Sequence, residues 1–437
     1  MINFNQYTNI TKIVIPNNIS LLNTDFSNAF NNMTKLSICE FNHPNVTNMS
    51  GAYLNCKNLT SSPVCGPNVT DMSGAYANCY NLKGSAACGN NVINMSHAYE
   101  FCRNITSPVC GPIVTDMSYA YANCYNLTSL VCGNSVTNMY YAYLNCYNLT
   151  GSPVCGPNVT NLAYAYGNCQ NITGSPVCGP NVTNMAGAYN TCRNLTGSPV
   201  CGPNVTSMTQ TYNNCYNLTG NPVCGDYVKF MSGTYQDCSN LTGSPVCGPN
   251  VTSMSKTYSG CSNITGSPVC GPNVTSMSWA YASCSKLTGS AVCGNNVTDM
   301  SSAYGWCYNL TTPACGPNVT NMYRAYKMCY NLTSVVCGPS VTDMVEAYNG
   351  CSNISAGTYY FYSRNITKVG QCFNGKNNSR RYNIHVPAGS TTLSTIYNNN
   401  TTGKTSTIVG KNIKWTNDGA NFYNTAYNIY IYVNSSM

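Results

Sequence analysis

Charge is the scarcest property of this sequence. Only 7% of its 437 residues are Asp, Glu, Lys or Arg, against about 25% in an ordinary soluble domain. There are three tryptophans and three histidines (His43, His97 and His385), and the eleven carboxylates are scattered. No nucleophile–base pair, carboxylate pair or phosphate-cradling glycine loop can be assembled from so few groups. The expectation is a non-enzymatic protein without cofactor. No apolar run approaches the 18–20 or so residues of a membrane-spanning helix, so no membrane insertion is expected. The start, Met-Ile-Asn-Phe-Asn-Gln-Tyr, lacks the basic and apolar regions of a secretory signal. No nucleic-acid-binding module is recognisable either.

Cysteine, by contrast, is abundant: 29 residues in a chain far too long for a disulfide knot. Their placement reveals a repeat. A cysteine in the context Ala-Tyr-x-x-Cys recurs from Cys56 to Cys351 at gaps of 22 or 23 residues. The unit reads Leu-Thr-Gly-Ser-Pro-Val-Cys-Gly-Pro-Asn-Val-Thr-x-Met-x-x-Ala-Tyr-x-x-Cys-x-Asn. The shorter units lack the glycine seen at Gly151, Gly174 and Gly197, which places that residue in a surface turn. Valine fills one column from Val46 to Val341 and tyrosine another from Tyr53 to Tyr348, while the methionine column breaks at Leu162. A unit with so few apolar positions encloses no core alone, but stacked units cover one another's apolar faces.

The fold expected is therefore an α/β repeat solenoid over residues 46–355. The glycine-flanked Ser-Pro-Val-Cys segment predicts a short parallel strand. Apolar residues at i, i+3, i+4 and i+7 in Met-x-x-Ala-Tyr-x-x-Cys predict a helical or 3-10 segment. At about 4.8 Å per coil, fourteen coils would make a rod of about 70 Å. Residues 1–45 are expected to form an N-terminal cap of degenerate coils, with Met33 in the cysteine column. Residues 356–437, with aromatic and β-branched runs at Tyr359, Tyr382 and Tyr427, are expected to form an irregular β-rich cap. The column cysteines are too regularly spaced for a metal site, and read as internal thiol ladders rather than disulfides. The recurrent Asn-x-Thr triplets, such as Asn58-Leu-Thr and Asn68-Val-Thr, read as asparagine ladders satisfying turn backbone.

On Leu149-Thr150, Val159-Thr160, Leu162, Ala165-Tyr166 and Cys169, the unit resembles the BspA-like leucine-rich repeat of bacterial, protist and phage surface proteins, with Tyr for the family's Phe. The resemblance covers about residues 10–355. It implies the leucine-rich-repeat fold and a role in binding or display rather than a reaction.

Variation between units points to a recognition surface. The two positions before Ala-Tyr, the two after it and the one after Cys vary, and carry Phe101, Tyr119, Tyr140, Tyr141, Tyr164, Lys256, Trp279, Trp306, Tyr323, Arg324 and Lys327. Exposed aromatics on a rigid scaffold suit glycan or protein recognition. Charge is also partitioned: residues 1–356 hold 11 Lys/Arg against 10 Asp/Glu, whereas residues 357–437 hold eight against Asp418 alone. Lys376, Arg380, Arg381, Lys411 and Lys414 would form a basic docking patch. The resulting expectation is a phage virion surface protein of the tail-fibre, receptor-binding or head-decoration type. Its partners would be other virion proteins and a host-surface glycan or protein, with homo-oligomers admitted. The alternatives are a cell-surface adhesin at an extracellular location, or a filament-forming structural protein.

Overall fold

A computed structural model describes residues 4, 6–16, 23–40, 43–355, 357–363, 366, 368, 372–373, 382–387, 406–408, 411–413, 416–417, 421–424 and 429–434. It divides into two compact units, Met1–Thr219 and Gly220–Met437. Each repeats the same coil, and the solenoid expected from the period is present in both.

Six side-chain columns build the interior. In the coil around Tyr189, Val182, Met185, Ala188, Tyr189, Cys192 and Leu195 are all fully buried. In the first unit the tyrosine rings stack from Phe30 to Tyr212 at centroid separations of 4.9–5.7 Å. In the second they run from Tyr235 to Tyr348 and on to Phe373 at 5.4–5.8 Å. The cap coil obeys the same registry: Phe26, Ala29, Phe30, Met33 and Leu36 are buried in the corresponding columns. Where threonine replaces the column alanine, its hydroxyl finds a carbonyl: Thr211 Oγ1 donates to Met185 O at 2.8 Å and Thr257 Oγ1 to Met231 O at 2.9 Å.

Two local expectations are corrected. No helix occurs among the described residues, so the helical or 3-10 segment is replaced by a chain of linked turns. Ala52 N donates to Met49 O and Cys56 N to Tyr53 O, each closing a four-residue turn within the coil. The intervening Gly51, Tyr53 and Asn55 N–H groups instead donate to Ser73, Ala75 and Ala77 of the next coil. Alternate donors thus leave the coil, and no i→i−4 ladder can form. The third residue of the flanking turns is left-handed, as at Gly51 (φ 60°) and Asn55 (φ 65°), the arrangement of a type II turn.

Short parallel pairing between coils is present as expected, and the second correction concerns its place. The ladder runs through the residue between Thr and Met, as Asp25–Asn48–Asp71–Asn94–Asp116–Asn138–Asn161–Asn184–Ser207 in the first unit. Asn, Asp and Ser suit this column because the side-chain oxygen accepts the N–H two residues on, as Asp71 Oδ1 does from Ser73 at 2.8 Å. Pro-Val-Cys forms no such ladder, because proline brings no donor. Four coils lack proline in this column; the bond returns in the two that carry alanine and, among the described residues, is not made at Leu130 or Val335. Ala86 N donates to Ser107 O at 2.9 Å and Ala291 N to Thr312 O at 2.8 Å. Parallel strand pairs Gly84–Ser85 with Ile105–Ser107, and Gly289–Ser290 with Leu310–Thr312, appear there.

The valine left without ladder bonds is held from inside. Tyr189 Oη accepts from Val177 N at 3.0 Å and donates to Val177 O at 2.7 Å. The same double bond recurs from Tyr76–Val64 to Tyr348–Val336. The bond does not depend on proline in the other column, because Tyr99 makes it to Ala87 and Tyr304 to Val292 in the coils that carry Ala86 and Ala291 there.

Two kinds of glycine space the coils. Gly156 has ordinary backbone, but a Cβ there would meet Gly133 O at 2.8 Å and Cys132 Sγ at 3.1 Å. Gly151 is left-handed (φ 85°) with open space around it. Gly156→Ala is expected to destabilise by about 3 kcal/mol, because neighbouring backbone must move. Gly151→Ala should cost only about 1 kcal/mol. Urea unfolding of both variants checks this, and equal losses would remove the close-approach argument.

Beyond Ile354 the stacking continues in part, with Lys368 bridging to Asp343 and Tyr348 N donating to Cys372 O. The C-terminal region contains a mixed five-stranded sheet. Its strands are Gly357–Tyr360, Tyr382–Pro387, Thr416–Asn417, Asn421–Asn424 and Ile429–Asn434. Three of these correspond to the aromatic runs noted in the sequence. An antiparallel pair, Ser406–Ile408 with Lys411–Ile413, lies beside them in the chain.

Candidate recognition surface

The turn geometry decides where the variable residues sit. Two positions per coil are left-handed: the one before Ala-Tyr and the one before Cys. Glycine fills the first at Gly51, Gly74, Gly187 and Gly233, and asparagine the second at Asn55, Asn78, Asn123, Asn145 and Asn168. Those residues adopt φ > 0 most readily. Several candidate residues occupy the same positions with bulky side chains: Phe101 (φ 60°), Tyr119 (55°), Tyr141 (56°), Tyr164 (52°), Lys256 (57°), Trp279 (57°), Trp306 (63°) and Arg324 (55°). Each carries about 1 kcal/mol of backbone strain that glycine would relieve.

In the first unit these residues form one row. His97 stacks on Tyr119 at 4.5 Å, Tyr119 on Tyr141 at 4.9 Å, and Tyr141 on Tyr164 at 4.9 Å. Tyr140 sets its ring edge-on against both Tyr119 and Tyr141. Burial, with Tyr140 beside them, raises the Tyr119 phenol and lifts that of Tyr141 to about 12. The row ends where Tyr164 lies over Gly187, at which a Cβ would enter the ring, and Tyr164 Oη donates to Gln210 Oε1 at 3.2 Å. At the other end His97 Nδ1 lies 2.7 Å from Glu100 Oε2. Phe101 is half-buried in the neighbouring column.

In the second unit Trp279, 37% exposed, lies 6.4 Å from Trp306. Lys327 Nζ sits 5.9 Å over the Trp306 ring, and the Arg324 guanidinium 4.7 Å over Tyr323. Glu346 joins both cations: Lys327 Nζ at 2.6 Å, and Arg324 through Nε at 3.0 Å and Nη2 at 3.1 Å. Burial pushes the Glu346 carboxyl up, and the bonds from Arg324 and Lys327 more than offset this, so it lies below its ordinary range. Ser302, between Trp279 and Arg324 in the column, is fully buried. Lys256 is exposed one coil before Trp279.

A further set of aromatics follows the column cysteine: Tyr80, Tyr125, Tyr147, Tyr216, Tyr308 and Tyr330. Tyr125 and Tyr147 stack at 5.2 Å and Tyr308 and Tyr330 at 5.0 Å. They occupy the variable position after Cys, and the recurring Cys-Tyr-Asn triplet is the signal that distinguishes them from the candidates named there. Of the expected basic patch, Lys376, Arg380, Arg381 and Lys414 lie outside the described residues. Lys411 opens the strand Lys411–Ile413, and its side chain is likewise outside them.

All 29 cysteines are free thiols. Those of the Ala-Tyr-x-x-Cys column donate to the preceding coil's tyrosine carbonyl, as Cys192 Sγ does to Tyr166 O at 3.0 Å. Burial raises thiols of both columns: Cys351 of this one to about 12, and Cys178 and Cys132 of the Pro-Val-Cys column to about 12 and about 11. Such thiols are neither nucleophiles nor metal ligands, and no metal-binding cluster is present among the described residues.

The sequence matches the profile of the BspA type leucine rich repeat region in six copies, over residues 2–106, 73–173, 117–242 and 229–355. No curated protein matches. Among solved structures, it is similar to a leucine-rich repeat protein from Bacteroides ovatus ATCC 8483, with 13% identity over 86% of this chain and 87% of that one and a TM-score of 0.46. A leucine rich cell surface protein from Faecalibacterium prausnitzii A2-165 is 15% identical over 88% and 90%, with a TM-score of 0.36. An internalin from Listeria monocytogenes is 13% identical over 88% and 85%, with a TM-score of 0.21. The profile match spans well over half of the sequence, and the chain belongs to the BspA-type leucine-rich repeat family.

Proposed function

We propose that this chain is a non-enzymatic surface-display protein that binds glycans through the bulky residues of its left-handed turn positions. The observation that carries the reading is the strain at those positions. Coils such as those of Gly51 and Gly187 show that glycine suffices for the turn, whereas His97, Tyr119, Tyr141 and Tyr164 sit there in four consecutive coils. Strained residues that the fold does not need are a mark of function. The chemistry suits a sugar. Indole faces at Trp279 and Trp306 take pyranose C–H groups, and the fixed Arg324–Glu346–Lys327 network supplies oriented donors and acceptors for hydroxyls.

Of the two settings considered, display on a cell surface fits the family; neither the family match nor the geometry points to a virion. The test is a glycan array on the full chain, followed by affinity measurements on the best hit. Trp279→Ala, Trp306→Ala and Tyr141→Gly map the surface. Tyr141→Gly trades stacking for relief of strain and should change stability by less than about 1 kcal/mol. At least one of the three variants should lose tenfold or more in affinity. Unchanged binding by all three would refute the assignment.

A further inference from the structure

A second surface of the first unit carries its own chemistry, independent of the left-handed row. On four consecutive coils one cation follows the column-cysteine position. Lys35 lies two residues after Met33, Lys57 one after Cys56, Lys83 four after Cys79 and Arg103 one after Cys102. All four are exposed. None is in an ion pair among the described residues. The first unit's carboxylates are engaged elsewhere: Asp25, Asp71 and Asp116 accept backbone N–H groups of Ser27, Ser73 and Ser118. Glu40 pairs with Lys12, and Glu100 with His97. In a chain so poor in charge, this edge is a run of uncompensated cations, one per coil, at a rise of about 5 Å each.

Tyrosines hold two of the four, Lys57 and Arg103, in line. Lys57 Nζ lies 5.8 Å from the centre of the Tyr80 ring, and the Arg103 guanidinium 4.8 Å from the same ring. Arg103 is also 5.5 Å from Tyr125, which in turn stacks on Tyr147. Tyr80 is thus flanked by Lys57 and Arg103, and Tyr125 by Arg103 and Tyr147. A single-stranded nucleic acid needs open aromatic faces on which bases stack, and these rings are occupied. A chain of anionic groups needs only cations at regular spacing.

We propose that the edge formed by Lys35, Lys57, Lys83 and Arg103, with Tyr80 and Tyr125 as spacers, binds a linear polymer bearing phosphate or sulfate groups. Four coils span about 15 Å from the first cation to the last, which suits several successive anionic groups rather than one small ion. Cations spread along the polymer release its counterions on binding, so affinity should fall steeply with salt.

The experiment measures binding of the full chain to fluorescent dextran sulfate and to inorganic polyphosphate, with neutral dextran and a dT oligonucleotide of matched charge alongside. Comparing sulfate with phosphate distinguishes the two sources of the anion. Binding to either should fall at least tenfold in the Lys57→Gln/Arg103→Gln double variant, and the slope of log K against log salt should drop by about 1.5 to 2. Tyr80→Leu keeps every charge and should still weaken binding severalfold, because the cations lose their alignment. Full binding by the double variant, with loss in a Lys376→Gln/Arg380→Gln/Arg381→Gln variant, would place the anion site at the C-terminal end and overturn the proposal. Binding of the dT oligonucleotide tenfold tighter than polyphosphate would overturn it in favour of base stacking, and no binding to either polyanion would end it.

Discussion

Raising the pH from 8 to 10.5 is expected to unfold both repeat units, far more steeply than an ordinary domain of this size. The cause is the thiol columns. Burial holds Cys79, Cys102, Cys124, Cys146, Cys192 and Cys215 of the first unit above the usual thiol value of 9.0. In the unfolded chain they ionise near that ordinary value. A raised folded-state value means that the stabilisation is complete below about pH 9 and is lost as pH rises toward the folded value. Each such thiol removes up to about 1.4 kcal/mol per pH unit, so these six together remove about 8 kcal/mol per unit. A whole domain has only about 5–15 kcal/mol to lose. The half-buried column, with Cys88 at about 12 and Cys110 at about 11, adds a smaller, solvent-screened contribution of the same sign. The check is the urea midpoint across this range. Cys102→Ser and Cys124→Ser keep a donor for Tyr76 O and Tyr99 O, which the thiols now bond at 3.0 Å each. Together they should lower the slope by about two protons. Constant stability from pH 8 to 10.5 would sink the idea. So would a sulfhydryl count well below 29 after denaturation without reductant, because cross-linked columns have no proton to lose.

The period, the buried columns and the family were legible in the sequence because each column is a ladder of like residues stacked on itself. The turn structure was not read correctly, and the reason is physical. Spacing of i, i+3, i+4 and i+7 puts side chains on one side of a helix, but two linked four-residue turns do the same. The deciding signal lay in the columns themselves: Gly51, Gly74 and Gly187 in one, and Asn55, Asn78 and Asn123 in the other, mark residues at φ > 0 that no helix contains. The glycines bounding Ser-Pro-Val-Cys suggest a strand, but its recurrent proline removes a ladder donor from most coils. Of the candidate surface, the identity of Tyr119, Tyr141, Trp279 and Arg324 as variable residues was readable. That Trp279 would meet Trp306, or Arg324 meet Glu346, depends on the lateral offset between coils, which spacing alone does not reveal. The cation edge is not legible as a column, because only Lys57 and Arg103 share one, while Lys35 and Lys83 fall in two others.

Tyr189→Phe, the deletion of one oxygen from a fully buried ring, is expected to destabilise the first unit by about 2–4 kcal/mol. The ring keeps its stacking partners, Tyr166 at 5.6 Å and Tyr212 at 5.7 Å, so hydrophobic burial hardly changes. What is lost is the pair of bonds to Val177 N and Val177 O. Both backbone groups are satisfied by that hydroxyl, and Pro176 beside them brings no donor of its own. Each orphaned backbone group at this depth costs about 1–3 kcal/mol. A contrasting substitution separates this account from simple loss of a polar atom. Phe30 stands in the same column of the cap coil and stacks on Tyr53 at 5.0 Å without a hydroxyl. If a phenylalanine were tolerated wherever stacking is intact, Tyr189→Phe would be as benign as the native residue at Phe30. Pairing Tyr189→Phe with Pro176→Ala supplies the other half of the test. Alanine there restores a donor of the kind that Ala86 and Ala291 direct to Ser107 O and Thr312 O. The double variant should recover about 1 kcal/mol of the loss, measured by urea unfolding with hydrogen exchange at the Val177 amide. A Tyr189→Phe variant as stable as the parent, with that amide still protected, would show that the segment is held by packing alone and that the hydroxyl column has no part in closing the coil.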